Sequence, residues 1–510
     1  VIKQLHVKRP EVNNGPGIGE DCSTLSVGPD EEIVLSTDPI TGTASDIGEL
    51  AVTISVNDLA SAGAEPIGIL LTVLLTPKMR EAKLKAIMEQ VDMACKRYNV
   101  QVIGGHTEVT EVVTQPLISV TAVGKVKKGQ MIAEAGGFVS APIFSSVSGT
   151  VKKIEPRRVA AGGMVNSIII ENDGNYDEVE YEEVSDPLAL SKEEIIEKVK
   201  NAGVVGLGGA GFPTHVKFSP AAPEKIDYII ANCAECEPYL TSDYRMMLEY
   251  PEKLIGGMKI ALSLFEGAKG IFGIENNKPD CIAKLKELTK DDPDIIVQPL
   301  VTKYPQGAER NMIYATTGRK INSSMLPADA GCIVDNVATL CAVYDAVKLG
   351  RPIISRVVTI TGDAVKDPRN FLVPTGTCFR DIVEEAGGFK EKPEKIIYGG
   401  PMMGFANFTL DIPVGKTNSA LLAFTKDETA AYEPSACISC GRCVDGCPSR
   451  IVPSRLADYS ENGRLDLFEK WGGVECVECG TCSFVCPARR HLTLAIKSMR
   501  KVALANRKKK

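Results

Sequence analysis

Nowhere in its 510 residues does this chain carry a hydrophobic run approaching the ~20 apolar residues of a membrane span. The longest candidate, Ile67 to Leu75, is short enough to be a buried strand. An excess of one charge is also missing: a net −7 gives no reason to expect nucleic acid as the partner. No signal-peptide pattern is visible, and the first residue is Val1 rather than Met. Histidine is scarce, with four in all, and His215 and His491 are expected at the surface rather than in catalysis. A disulfide framework is lacking too. Cys22, Cys95, Cys233, Cys236, Cys281, Cys332, Cys341 and Cys378 are scattered, and such free thiols point to a reducing cytosol. Charged residues at 24% and apolar residues at 44% are ordinary. The length exceeds what one core supports and predicts about three to five domains.

What the chain does have is concentrated near its C-terminus. Cys437, Cys440, Cys443 and Cys447 form a run closed by Pro448, and Cys476, Cys479, Cys482 and Cys486 form a second closed by Pro487. That spacing suits a [4Fe–4S] cluster, with three sulfurs on one face and a fourth from elsewhere. In two-cluster ferredoxins the fourth cysteine of each run ligates the other cluster. The expected sets are therefore Cys437, Cys440, Cys443 and Cys486 for one, and Cys476, Cys479, Cys482 and Cys447 for the second. Zinc competes for paired CxxC motifs, but two complete copies ending in Cys-Pro favour iron–sulfur.

Along the chain, the first ~125 residues alternate β-branched runs with turns and helical stretches such as Glu81–Tyr98. From Gly124 to about Glu171 the pattern is all-β, followed by an acidic stretch, Glu171 to Glu183, read as a linker. Ser191 and Glu194 make a capping box for a helix to about Asn201. An α/β region follows, then the strand Val357–Thr361, the helix Cys378–Ala386 ended by Gly387 and Gly388, and the cysteine domain. Helices are expected at Ser454–Tyr459 and Leu465–Trp471 between the cysteine runs. The basic tail from Met499 reads as a solvated helix end, since cations favour helix C-termini.

Gly206, Gly208, Gly209 and Gly211 fit GxGxxG, yet no clear βαβ unit surrounds them. The surviving reading is a loop whose N–H groups approach a phosphate, with Pro213 opening a helix and Lys217 neutralising the anion. Asn232-Cys-Ala-Glu235-Cys-Glu237 follows a buried strand, a good position to grip a polar ring or ribose. A metal at Cys233 and Cys236 is disfavoured because no second pair lies nearby.

From about Gly124 onward these motifs resemble RnfC, the peripheral subunit of the ion-translocating Rnf complex, and are similar to the flavin-bearing, NADH-oxidising subunit of complex I. The residues carrying the likeness are the glycine loop through Thr214, Asn232–Pro238, Ile333–Leu340, Val357–Gly388 and both cysteine runs. The resemblance implies that Gly206, Gly208, Gly209, Gly211 and Lys217 hold the FMN phosphate. Phe212 would lie near the nicotinamide, and Asn232, Glu235 and Glu237 would face the two rings. Glu309 would serve the NADH ribose side, and Asn336 would contact the flavin. Glu235, Glu237 and Phe212 are the residues expected closest to catalysis. Implied cofactors are two [4Fe–4S] clusters, FMN and NAD(H). Implied partners are membrane-embedded and iron–sulfur subunits, with ferredoxin reached indirectly, and the implied location is the cytoplasmic face of the membrane.

Gly124–Thr150 looks like the barrel-sandwich module of biotinyl and lipoyl carriers, but no lysine stands in the setting those carriers modify, so a docking scaffold is expected. Residues 1–123 resemble the N-terminal half of the AIR synthase and HypE family through Gly17-Ile-Gly19-Glu20-Asp21, Thr37-Asp38, Asn57-Asp58 and Gly104–Glu108, with His106 where an Asp is common. In that family such aspartates hold Mg²⁺ and ATP phosphates. The expected architecture is multidomain α/β, with domains at 1–123 (AIR-synthase-like α+β half), 124–190 (barrel-sandwich β module and linker) and 191–355 (complex-I-type FMN/NADH α/β domain). A β-grasp (SLBB) domain at 356–392, a connecting segment at 393–432 and a helical two-[4Fe–4S] ferredoxin domain at 433–510 complete it. The expected function is electron passage between clusters, FMN and NAD(H). Alternatives are a soluble electron-donating subunit of a reductase such as proline reductase, and an ATP-binding maturation or synthase protein.

Overall fold

The computed structural model describes residues 34–41, 46–61, 65–125, 127–429 and 431–507. The Gly17–Asp21 motif and Cys22 lie outside these described residues. Two compact units result, one containing residues up to Arg157 with Met164–Tyr181, the other Arg158–Gly163 with Glu182–Lys510.

In the first unit a four-stranded sheet runs in the order Val34–Ile40, Leu117–Lys125, Glu65–Leu75, Gln101–Val109. Ile69, Leu71, Val73 and Leu75 alternate inward, the period a half-buried strand requires. Helices Ile47–Ser61 and Glu81–Tyr98 cover this core, the second burying Ile87, Met88, Val91, Ala94 and Cys95 at helical spacing. Four strands follow, Met131–Ala133, Ile143–Phe144, Gly149–Arg158 and Met164–Asn172, with no helix among them. Ile132 and Val151 join the same buried cluster as the four-stranded sheet. The boundary expected at 123/124 therefore falls inside strand Leu117–Lys125, which pairs with neighbours on both sides.

The second unit opens with helix Lys192–Asn201, capped as expected: Glu194 N–H donates to Ser191 Oγ at 3.3 Å and Ser191 N–H to Glu194 Oε2 at 2.8 Å. A parallel sheet follows, ordered Ile295–Leu300, Lys269–Glu275, Tyr228–Cys233, Cys332–Asn336. From Tyr228–Cys233 the chain steps twice to one side, then crosses to place Cys332–Asn336 on the other. That reversal opens a crevice beyond the carboxyl ends of the two adjacent strands.

A five-stranded sheet comes next, ordered Arg369–Pro374, Ser355–Thr361, Ala420–Phe424, Lys395–Tyr398, Phe405–Asn407. Its core seats Phe379 of helix Phe379–Glu385 edge-on to Tyr398, ring centroids 4.8 Å apart. The 393–432 segment is thus no mere connection, since it supplies three of these five strands. Its glycines and prolines hide them by breaking the alternation into three- to five-residue pieces. The cysteine domain packs helices Pro453–Glu461, Leu465–Lys470 and Leu492–Arg507 around Leu456, Phe468 and Ile496. Among the described residues no helix is long and apolar enough to cross a membrane.

Candidate functional site

The crevice at the strand reversal collects most of the expected residues. Leu207 N–H donates to Thr339 Oγ1 at 2.9 Å, and a side chain on Gly208 would meet Asn336 Cβ at 3.2 Å, so the glycine loop lies directly on the end of Cys332–Asn336. Gly209, at φ 127°, faces open space where any Cβ would point. Phe212 is exposed beside the loop. The helix expected after Pro213 is a single turn, Thr214–Lys217, so its dipole adds little. His215, expected at the surface, is instead buried in that turn at 2% exposure, whereas His491 is exposed.

Lys217 Nζ donates to Val334 O at 2.6 Å and to Asp335 Oδ1 at 3.0 Å. Burial opposes its charge, and Asp335 more than restores it, leaving its pKa above the usual lysine value. Burial pushes the Asp335 and Glu309 carboxyls up. Among the described residues, Thr214 Oγ1 and Asp335 Oδ2 are buried without a hydrogen-bond partner. Buried polar atoms left unpaired are costly. An open glycine loop followed by the unpaired Thr214 hydroxyl and the half-buried Lys217 cation fits a phosphate-bearing ligand.

The motif after Tyr228–Cys233 divides its labour. Asn232 Nδ2 donates to Gly307 O at 2.8 Å, bracing the loop that leads to Glu309. The Glu235 carboxylate accepts from Ser242 Oγ, Asp243 N–H and Tyr244 N–H at 2.9–3.2 Å, capping helix Ser242–Glu249. Burial, then Asp243 nearby, pushes its pKa up to about 7. Glu237 accepts the N–H groups of Met402 and Met403 at 3.1 and 2.9 Å. Both glutamates were expected to face the rings, and in this structure both carboxylates are engaged by backbone. Asn336 caps helix Val337–Lys348 through Ala338 N–H and donates to Asp243 Oδ2 at 2.6 Å.

The cysteines sort themselves into the two crossed sets. One cavity is lined by Cys447, Cys476, Cys479 and Cys482, another by Cys437, Cys440, Cys443 and Cys486. Burial pushes the Cys476 thiol up to about 12, and the like charges of Cys482, Cys479 and Cys447 add to the rise. Four thiolates ringing a void fit a cubane, where each sulfur binds a different iron. A third cavity, about 160 Å³, is lined by none of the expected residues, and its Asp345 pairs with Lys253 at 2.8 Å.

Family models match five stretches of the chain. They are the AIR synthase related protein N-terminal domain at residues 19–126, the RnfC barrel sandwich hybrid domain at 110–175, the Nuo51 FMN-binding domain at 199–345, the SLBB domain at 357–406 and a 4Fe-4S dicluster domain at 436–492. The C component of the proton-translocating ferredoxin:NAD(+) oxidoreductase complex of Clostridium ljungdahlii is 46% identical over 347 residues, covering 68% of this chain and 75% of that one. Its Na(+)-translocating counterpart from Acetobacterium woodii is 42% identical over 386 residues, covering 75% and 86%. The chain belongs to the RnfC family. A solved NAD+-reducing [NiFe]-hydrogenase aligns at 21% identity and a TM-score of 0.42 over 62% of this chain and 55% of that one, too loose a likeness to argue from.

Beyond the RnfC motifs, the structure adds residues that sequence reasoning missed. Arg356, buried in strand Ser355–Thr361, donates to Leu207 O at 2.5 Å, Lys416 O at 2.6 Å and Asn418 O at 2.7 Å. It pins the glycine loop from the β-grasp side. An arginine opening an otherwise β-branched strand was its one visible signal. In the first unit Asp38 and Asp58, from two of the AIR-synthase-like motifs, come together, and the hydrogen bond between them raises the Asp38 pKa.

Proposed function

We propose that this chain is the NAD(H)-reacting subunit of a membrane-associated ferredoxin:NAD oxidoreductase, with ion translocation carried by its partner subunits. The observation that carries this reading is the coexistence, within one unit, of a glycine-cradled crevice and two cavities ringed by four cysteines each. Nucleotides exchange two electrons as hydride and clusters exchange one at a time; bound FMN would supply the conversion.

The chain's own residues bind and orient. Gly206 and Gly211 close the loop through their own backbone bonds, so the N–H groups of Gly208, Gly209 and Ala210 would hold the phosphate, and Lys217, already braced by Val334 and Asp335, would supply positive charge. Phe212 offers an aromatic face to the nicotinamide. Asn232 and Glu309 would bound the ribose side, and Asn336 would contact the flavin. Glu235 and Glu237 act on the reaction by fixing the loop that carries Asn232. The cysteines would hold the iron, and backbone N–H groups of Ser439 and Glu478, each 3.4 Å from the Sγ two residues earlier, would stabilise sulfur charge. The cytoplasmic face of the membrane is the proposed location.

Anaerobically purified protein should contain flavin and iron, and NADH should bleach the flavin absorbance. A protein that binds neither, or whose flavin ignores NADH, contradicts the proposal.

A further inference from the structure

The glycine loop is a small hairpin held between two neighbours. Val205 and Pro213 bridge its base. Gly206 N–H donates to Phe212 O at 2.8 Å and Gly211 N–H to Gly206 O at 3.1 Å, which leaves Gly208, Gly209 and Ala210 at the tip. On one flank stand Asn336 and Thr339. On the other lies a loop of the β-grasp sheet, residues 415–418, shortly before strand Ala420–Phe424.

That second loop is internally latched and meets the hairpin at both ends. Gly415 N–H donates to Asn418 Oδ1 at 2.7 Å, and Asn418 N–H to Gly415 O at 3.1 Å. Arg356 holds Lys416 O and Asn418 O with the same guanidinium that reaches Leu207 O. Lys416 Nζ donates to Gly203 O at 2.8 Å, just before the hairpin and across 213 residues of sequence. Burial lowers the Lys416 pKa to about 8, as desolvation does to an ammonium withdrawn from water. Thr417 closes over the returning strand: a Cβ on Gly211 would stand 2.9 Å from Thr417 Cγ2. Gly211 is therefore glycine for two reasons, the approach of that methyl and its own left-handed φ of 66°.

We propose that the 415–418 loop sets the shape of the glycine hairpin, with Lys416 and Thr417 as positioning residues, and that preference for FMN over phosphate-free riboflavin depends on it. Lys416 fixes the hairpin before its base, at Gly203, and Thr417 fixes its return, at Gly211. The N–H groups of Gly208, Gly209 and Ala210 between those points are then aimed before any ligand arrives. Donors ordered in advance raise affinity by sparing the cost of ordering them on binding. The phosphate is the end of the flavin that meets these donors, so a loosened hairpin penalises FMN and leaves riboflavin nearly untouched. Lys416 and Thr417 act through the hairpin and make or break no bond. The inference rests on the proposed function, because it takes FMN as the occupant of the crevice.

The test is fluorescence titration of the full chain, purified anaerobically and freed of flavin, with FMN and with riboflavin. Lys416→Met should weaken FMN binding by about tenfold, the scale of one lost hydrogen bond from a charged donor, and move riboflavin by no more than about twofold. Gly211→Ala should weaken FMN by about thirtyfold, from crowding and left-handed strain together. Adding Thr417→Ser to Gly211→Ala removes the opposing methyl and should recover roughly fivefold, the share due to crowding. A Lys416→Met protein with the parent's FMN-to-riboflavin ratio overturns the inference. A loss shared equally by both flavins does so too, since general destabilisation produces that pattern. A double variant no better than Gly211→Ala alone overturns the role of Thr417. If Gly211→Ala yields no folded protein, the ratio in Lys416→Met still decides. A parent that binds both flavins alike also overturns the inference. Flavin that binds with the expected ratios yet ignores NADH contradicts the functional reading and leaves this inference standing.

Discussion

Arg356 offers the sharpest perturbation of the crevice. Its guanidinium is buried, and burial lowers its pKa to about 10, so it remains charged at neutral pH. Three carbonyl oxygens accept from it, one of them Leu207 O inside the glycine loop. Replacement by methionine keeps the volume but strands those carbonyls and removes one of the cations that favour the charged form of the buried Asp243. A charge-assisted hydrogen bond contributes roughly 1.5–3 kcal/mol, and breaking a buried network costs about 3–5 kcal/mol because partners are left unsatisfied. Arg356→Met should therefore lower the unfolding midpoint by roughly 4–7 °C in a unit of this size. It should also weaken flavin binding by about tenfold or more, the equivalent of ~1.4 kcal/mol in loop order. Arg356→Lys should restore only part of this, since one ammonium lacks the planar fork that reaches three carbonyls. Differential scanning calorimetry and fluorescence titration of released flavin read both effects. A methionine variant that melts with the parent and binds flavin equally well would refute the argument that this arginine organises the loop.

Other consequences follow from the same contacts. Glu235 has a folded pKa raised to about 7, so its contribution to stability is fully present below the unfolded carboxylate range and is lost as pH rises through 7. Anaerobic denaturant titrations from pH 6 to 8 should show a falling stability, at most ~1.4 kcal/mol per pH unit from this group, and Glu235→Gln should flatten it. A variant with the parent's slope would assign the pH dependence elsewhere. Glu475→Gln weakens the tie to Arg310 and Ser323, so amide exchange around Cys476 should rise by a factor corresponding to ~1–3 kcal/mol. Unchanged protection would show that the tie carries no load. Gly480→Ala forces a Cβ toward Met402 O at a left-handed backbone position, and iron content should fall below the parent's; full loading would mean the loop yields freely.

Local grammar made much of this molecule legible. The Ser191–Glu194 capping box, the helix Glu81–Tyr98 and both cysteine runs announce themselves within a few residues, because spacing alone fixes caps, amphipathic faces and ligand geometry. The crossed cysteine sets followed from the same spacing, and the structure lines its two cavities with them. What stayed hidden depends on tertiary proximity. Tyr304 meets Cys479 across 175 residues, and Arg356 meets Leu207 across 149, pairings no local pattern records. Glu235 is ambiguous in the sequence because an acidic residue after a strand suits a ribose and a helix cap equally well; in the structure its carboxylate caps helix Ser242–Glu249. The sheet strands beyond residue 393 escaped notice since each is only three to five residues long.

The most direct test of the whole account is an anaerobic NADH titration of the full chain, followed by flavin absorbance and by EPR of the clusters in the same samples. The account predicts bleaching of the flavin together with the appearance of reduced [4Fe–4S] signals. A colourless protein, or a flavin that bleaches while both clusters stay oxidised although a chemical reductant of the same potential reduces them, would contradict it.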